Sequence, residues 1–256
     1  MKKLIDLNAD AGESFGRWRL GDDARLMPLV SSVNVACGWH AGDPATMRRS
    51  AGLAKSHGTA LGAHPGFPDL VGFGRRALAM TPQQAADACL YQLGALRSFA
   101  DSLGIALTHV KPHGAFYGLT TRDPEVTDAI AEVVTAVDPE LILVLLAGPT
   151  AEKVAARGVR VAREAFADLD YDDDGHIIIE PDPVAKSPEH CAEKAMAILA
   201  GEVVSTSGKT LPVDADTICL HGDRPNAIEI AQAVRQRFSA ADVTVAPMAE
   251  VIANRP

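Results

Sequence analysis

With 256 residues, 47% of them hydrophobic, the chain can bury a large core, which excludes a disordered protein and leaves one large α/β domain or two small ones. Its 33 acidic and 24 basic residues give a formal charge of −9, with the acids dispersed except in one short run. That balance excludes the basic footprint of a nucleic-acid or membrane-surface binder and favours work on a small molecule.

Cys37, Cys89, Cys191 and Cys219 are far apart in sequence with no Cys-x-x-Cys pair, so neither a zinc knuckle nor a disulfide framework is expected. Asp6 and Asp10 interrupt the N-terminal stretch before a signal core can form. No run reaches the roughly 18 apolar residues that a membrane span needs. A cytoplasmic enzyme is the expectation.

Leu4 to Asn8 reads as a first strand, followed by a polar, glycine-punctuated loop carrying Asp10, Glu13 and Gly16. Ser32 to Ala36 is a second strand, running into Cys37-Gly38-Trp39-His40. Asp43 then caps a helix whose first residue is Pro44 and which extends to His57. A strand therefore delivers His40 to a helix mouth. Thr59 to Ala63 ends in His64-Pro65, and a long loop follows with Asp69, Arg75 and Arg76, suited to closing over an anion. Thr81-Pro82 starts a helix with Cys89, Leu93, Leu96, Ala100 and Leu103 on one face.

Leu107 to Val110 is a fourth strand, ending in Lys111-Pro112-His113-Gly114, and Asp123-Pro124 opens the next helix. The aliphatic run Leu141 to Ala147 fits a strand buried on both faces. Val159 to Ala165 is a sixth strand, ending near Glu164, Phe166 and Asp168. Asp170 to Ile179 reads as a hairpin excursion, Ser187-Pro188 caps a helix to Leu199, and Val203 to Val213 reads as a second hairpin. Thr217 to Leu220 is the seventh strand, leading to His221-Gly222-Asp223. A helix from about Pro225 to Phe238, a strand over Val243 to Ala246 and a short helix complete the chain.

Strand and helix alternate with no linker, which predicts a single domain over residues 1–256 built on a parallel sheet. About seven units point to a closed or nearly closed β/α barrel, with a doubly wound open sheet as the other solution. The barrel accounts better for Asp10, His40, His64, Lys111, His113, Asp168, His221 and Asp223, which all fall just past carboxyl ends of strands, where barrels build active sites. His57, His109, His176 and His190 lie within or between elements and are read as structural. Asp10, His40 and His64 include ligand types for a divalent metal with an open water position, although no His-x-x-His or His-Glu-x-x-His spacing is present.

Two tempting motifs are discounted. Gly201 to Thr210 has six residues between its glycines and joins helix to strand, the wrong context for a phosphate loop. Asp170-x-Asp172-x-Asp174-Gly175 starts like a calcium loop but has Pro181 where the bidentate Glu belongs. Cys37 lacks an adjacent base and is read as a packing thiol.

Five motifs, in order, resemble those of the LamB/YcsF family, the family of the 5-oxoprolinase A subunits. They are Asp6-Leu-Asn8-x-Asp10-x-Gly12-Glu13, Asn34-x-Ala36-Cys37-Gly38-x-His40-Ala41-Gly42-Asp43, His64-Pro65 with Gly72-Phe73-Gly74-Arg75, Lys111-Pro112-His113-Gly114, and His221-Gly222-Asp223. The resemblance spans nearly the whole chain and implies an irregular parallel β/α barrel of the glycoside hydrolase/deacetylase kind. It also implies ATP-dependent opening of the lactam 5-oxoproline to glutamate, together with separately encoded B and C subunits.

Residue types suggest roles within that chemistry. Asp10 or Glu13 would be the base for water, and His40, His64 and His113 proton carriers or electrophilic stabilisers. Lys111 and Arg75 would hold anions, and Asn8, Asn34, Asp168, His221 and Asp223 would complete the substrate-binding set. The sequence departs from the family pattern after the sixth strand. Leu169 stands where an arginine is common, and Glu180 to Lys186 lacks a second one. If those arginines hold the substrate, Leu169→Arg should raise turnover of 5-oxoproline.

Overall fold

The computed structural model describes residues 3–180 and 182–255; Pro181 lies outside them. The first six strands are β1 (Leu4–Ala11), β2 (Ser32–Ala36), β3 (Ala60–His64), β4 (Leu107–Val110), β5 (Ile142–Leu146) and β6 (Val161–Phe166). Two hairpins follow, β7 (Asp170–Tyr171) with β8 (Ile177–Ile178), and β9 (Glu202–Val204) with β10 (Thr210–Pro212). The last strands are β11 (Thr217–Leu220) and β12 (Thr244–Val245). β1 to β6 and β11 pair in parallel in chain order, and β11 pairs back onto β1 through Asp6↔Thr217 to Ala9↔Leu220, so seven strands close a barrel. β12 adds only a short parallel pairing beside Leu4 and Ile5.

The helices are α1 (Asp23–Leu26), α2 (Pro44–His57), α3 (Pro82–Leu103), α4 (Gly114–Arg122), α5 (Pro124–Val137), α6 (Pro149–Ala156), α7 (Pro188–Ala200), α8 (Ala227–Ala240) and α9 (Met248–Ala253). Local chemistry sets the main boundaries. Asp43 accepts from the amides of Ala45 and Thr46 at the start of α2, and Gly58 ends that helix in the left-handed region at φ 67°. Thr81 and Gln84 form a reciprocal capping box at the start of α3. No helix of the described residues is long and apolar enough to cross a membrane.

Outward residues of β1, Ile5, Leu7 and Ala9, join the large apolar core, which includes Leu93 and Leu96 of α3 and Ile130 and Val134 of α5. The barrel interior is different. A separate small apolar group of Ile142, Val144, Ala162 and Met248 brings α9 against β5 and β6. Elsewhere the interior is polar and paired with itself: Ser32 donates to Asp6 (2.6 Å), Asn8 to Glu164 (2.9 Å) and Thr217 (2.6 Å), and Asn34 to Asn8 (2.7 Å). His109 Nε2 lies 2.9 Å from Asn34 Oδ1, in space that Gly62 leaves, since a Cβ at Gly62 would come within 2.1 Å of that ring. Burial is the main cause that pushes the Asp6 carboxyl up to about 6, only partly offset by its hydroxyl donors.

Several boundaries differ from the sequence reading. β1 runs to Ala11, so Asp10 lies within the strand, paired opposite Asn34, instead of in the loop beyond it. The sequence reading also does not anticipate α1, which Asp22 caps, nor the helices α4 and α6. Neither α4 nor α6 has a side-chain cap, so the usual start signal is missing from the sequence.

Candidate active site

At the carboxyl ends of the barrel strands a small, solvent-open cavity of about 40 Å³ is lined by Asp10, His64, Arg75, Phe166, His221 and Arg224, among others. Its floor is built around Asp10. Lys111 Nζ donates to Asp10 Oδ1 at 3.0 Å and Asn34 Nδ2 to the same oxygen at 2.8 Å, while His64 Nε2 is 3.3 Å and His221 Nε2 3.8 Å from Oδ2. Burial alone would neutralise this carboxyl, but His64 and Lys111 outweigh it and hold Asp10 well below the usual carboxylate range.

Lys111 is equally committed. Its ammonium also reaches Cys219 Sγ at 2.9 Å and Glu164 Oε1 at 3.2 Å, and sits 5.4 Å from the Phe166 ring centre. Burial disfavours its charge, yet Asp10, Cys219 and Glu164 together keep it protonated. Lys111 therefore neutralises the floor and is not held out toward a substrate anion.

One wall pairs acids with bases. Asp168 accepts from the backbone N–H of His221 at 2.8 Å and lies 3.0 Å from its Nδ1, which turns Nε2 toward Asp10. Against the cost of burial, His221 and Arg224 pull the Asp168 carboxyl down to about 2. His221 is raised in turn, because Asp168 outweighs its burial. Arg224 donates to the Asp168 carbonyl (3.0 Å) and to Glu180 (3.0 Å), and Arg75 pairs with Asp223 at 2.6 Å. Of the two adjacent arginines, Arg75 enters the site, whereas Arg76 pairs with Asp69 and stays largely exposed.

The opposite wall holds His64 and His113, and behind them Glu13 and His40 line a second cavity with Phe15, Trp18 and Phe73. The rings of His40 and His113 stack face to face, 3.7 Å apart and 3° from parallel. Gly66 and Gly74 make room for them: a Cβ at Gly66 would lie 2.5 Å from His40 Nδ1, and one at Gly74 would lie 2.8 Å from both His40 Cβ and His113 Cδ2. Burial, then His64, keeps His40 neutral, and burial with His40 and His64 does the same for His113. Burial with Asp223 and Asp10 pushes Glu13 well up.

The predicted residues thus gather on one rim, but not all in the expected roles. Asn8 and Asn34 lie beneath the cavity and spend their amides on Glu164, Thr217, Asp10 and each other, so they support the floor. Asp168 and Asp223 are anions that orient His221, Arg224 and Arg75. The metal-ligand types also divide differently from the set Asp10, His40 and His64: donor atoms of Glu13, His40, His64 and His113 converge, while Asp10 groups with Cys219 and His221. Cys37 donates to the carbonyl of Val35, and burial pushes its thiol up to about 12, consistent with packing. Arg224, Glu164 and Cys219 are site residues that sequence reasoning misses. Glu164 and Cys219 follow the inward period-two pattern of their strands, a usable signal, whereas Arg224 has none.

Residues 5–253 match the model of the LamB/YcsF family. The chain is 45% identical over 252 residues to the 5-oxoprolinase A subunit from Thermococcus onnurineus, covering 97% of this chain and 99% of that one. It is 48% identical over 245 residues to the protein of the same name from Thermus thermophilus, covering 94% and 98%. Among solved structures, the lactam utilization protein of Thermus thermophilus superposes with a TM-score of 0.86 at 47% identity, covering 96% of this chain and 99% of that one. A T48 deacetylase shares the barrel alone, with a TM-score of 0.51 at 14% identity, covering 100% of this chain and 93% of that one.

Proposed function

The chain belongs to the LamB/YcsF family, and from that premise we propose that it is the ring-opening subunit of a 5-oxoprolinase. In this reading it hydrolyses the lactam of 5-oxo-L-proline to L-glutamate, coupled to conversion of ATP to ADP and phosphate, in a complex with separately encoded B and C subunits. The observation that carries the reading is the buried, anionic Asp10 facing His221 across a small cavity with Arg75 and Arg224 on its walls.

A five-membered lactam is an unreactive amide. ATP supplies a phosphoryl group to its oxygen, which makes the ring carbon electrophilic. Asp10, kept ionised by Lys111 and His64, accepts a proton from water as the water oxygen bonds to that carbon. His221, held by Asp168, gives a proton to the ring nitrogen as the carbon–nitrogen bond breaks. The resulting acyl phosphate is hydrolysed to the carboxylate of glutamate and phosphate. Arg75 and Arg224 offer guanidinium groups to the substrate carboxylate and the phosphoryl oxygens. His64 and His113 form the wall beside the attacking water, with Glu13 and His40 behind them.

The test measures glutamate release and ADP formation from 5-oxoproline with this chain alone and with the B and C subunits, with and without added divalent metal. ATP-coupled glutamate release that requires this chain supports the reading. Turnover by the chain alone without ATP would replace it with a stand-alone amidase. Full activity of an assembled complex carrying Asp10→Asn would reduce the chain to a substrate-holding component.

A further inference from the structure

We propose that Glu13, His40, His64 and His113 form a binding site for one divalent transition-metal ion of the zinc type at the barrel mouth.

The protons of two rings are assigned by carbonyl oxygens, which can only accept. His64 Nδ1 lies 2.6 Å from the Lys111 carbonyl, so it carries a hydrogen and turns Nε2 inward. His113 Nε2 lies 2.8 Å from the Phe73 carbonyl, which leaves His113 Nδ1 with a lone pair. His113 Nδ1 and His64 Nε2 face each other at 3.1 Å. The same arrangement, one nitrogen on a backbone carbonyl and the other turned inward, is how metal-binding histidines are commonly oriented.

The other two groups border the same space, and the His40 ring, parallel to that of His113, must turn to aim a lone pair at the same ion. Glu13 Oε1 is 3.6 Å from His113 Nδ1 and 3.4 Å from His40 Nε2. Glu13 Oε1 and both ring nitrogens of His40 are buried with no hydrogen-bond partner among the described residues. Leaving such atoms unsatisfied is costly, and a cation taking the lone pairs of Glu13 Oε1 and of one His40 nitrogen removes much of the cost. Four donors at about 2.0–2.1 Å from a tetrahedral zinc lie roughly 3.4 Å from one another. The separations of 3.1, 3.4 and 3.6 Å bracket that value, and the donor atoms of the group all lie within 4.8 Å of each other. Three imidazoles and one carboxylate form a borderline donor set of the kind that selects zinc and its neighbours over calcium or magnesium.

Two other groups of ligand types lack these features. In the Asp10, Cys219 and His221 group, Lys111 Nζ already occupies the space between Asp10 and Cys219, and an ammonium beside a metal cation is repulsive. In the Asp172, Asp174 and His176 group, Asp172 Oδ1 accepts the backbone N–H of Asp174 and of His176, as in a solvated turn.

The inference is independent of the ring-opening reading because its readout is metal content. Full-length chain, freed of any affinity tag, is stripped with a chelator, dialysed against zinc and analysed for bound metal, then titrated with cobalt(II) while its visible absorption is followed. The expected result is about one ion per chain and the spectrum of a tetrahedral site. Glu13→Gln and His113→Asn, each checked for native circular dichroism, should weaken binding by more than the roughly 10–100-fold that loss of an outer partner costs. Asp172→Asn should leave it unchanged. If either site variant fails to fold, stripped wild-type chain still decides: zinc should raise its melting temperature and saturate at one ion. No stoichiometric binding by the wild type, or loss of metal in Asp172→Asn but not in Glu13→Gln, overturns the proposal.

Discussion

Asp168 holds His221 twice: one carboxylate oxygen accepts its backbone N–H at 2.8 Å, and the other lies 3.0 Å from Nδ1 of its ring. The ring therefore cannot rotate without losing a buried charge partner. Asp168→Asn should lower kcat for glutamate release in the assembled enzyme by roughly 10²–10⁴-fold. KM should change little, because the cavity walls are kept. Without the carboxylate, the imidazolium loses the partner that raises it, so the limb of the pH–rate profile belonging to His221 should move to lower pH. An unchanged profile in a folded variant would show that Asp168 only braces the wall.

Leu169 occupies the cavity wall beside Arg224, and its carbonyl accepts from Lys194. The missing arginine of the family pattern thus falls next to a guanidinium already present. Leu169→Arg should give no gain in 5-oxoproline turnover and should lower the melting temperature, since a further buried cation lacks an acidic partner. Steady-state kinetics with thermal unfolding decides it, and a clear rise in kcat/KM would mean that Arg224 does not serve that role.

Gly66 is clamped by Gln92, whose side chain accepts its N–H and donates to its carbonyl, both at 2.9 Å. That clamp presses the backbone against His40. Gly66→Ala should displace the His40 ring, cost about 1–3 kcal/mol of stability by overpacking, and reduce turnover sharply. Denaturant unfolding alongside activity provides the check. Wild-type activity in Gly66→Ala would mean that the position of His40 does not matter to the chemistry.

Asp43 caps α2 and also accepts the N–H of Gly16 at 2.7 Å, tying the loop that carries Glu13 to the helix after His40. Those hydrogen bonds, that from Gly16 first, pull its carboxyl down to about 2. The folded state therefore favours the ionised form. Its contribution is fully present above the ordinary value of 3.8 and is lost as pH falls through about 2. Asp43→Ala should cost about 1 kcal/mol at neutral pH, and the gap to wild type should narrow in acid. A gap that is constant with pH would mean that the carboxylate charge contributes nothing.

Much of this arrangement is legible in the sequence because parallel barrels gather their strand ends on one face. His40, His64, Lys111 and His221 can be placed together without knowing any distance. The error at β1 has a specific cause. Asn, Asp and Gly after Leu7 look like a loop, yet Asp6, Asn8 and Asp10 recur with period two and fill one face of a strand. Polar residues break strands when they lack partners, and the barrel interior supplies them. Arg224 is not legible as a site residue, because it lies in no strand and its partner is far off in sequence: it meets Asp168 from 56 residues away. The tautomers of His64 and His113 depend on which backbone carbonyls the folded loops present.

The polar interior also constrains how the chain assembles. Thr217 donates to Asp6 and Asn8 to Thr217, links that join residues 211 and 209 positions apart. A half-formed barrel that buried the inner face of β1 would strand Asp6 and Asn8 without those partners, so partial closure gains little. Closure instead rewards the chain only when the last barrel strand meets the first, a long-range step that is slow to reach. The same side chains that set up the chemistry at the rim thus discourage a stable open sheet, and folding is concentrated into one late, collective event.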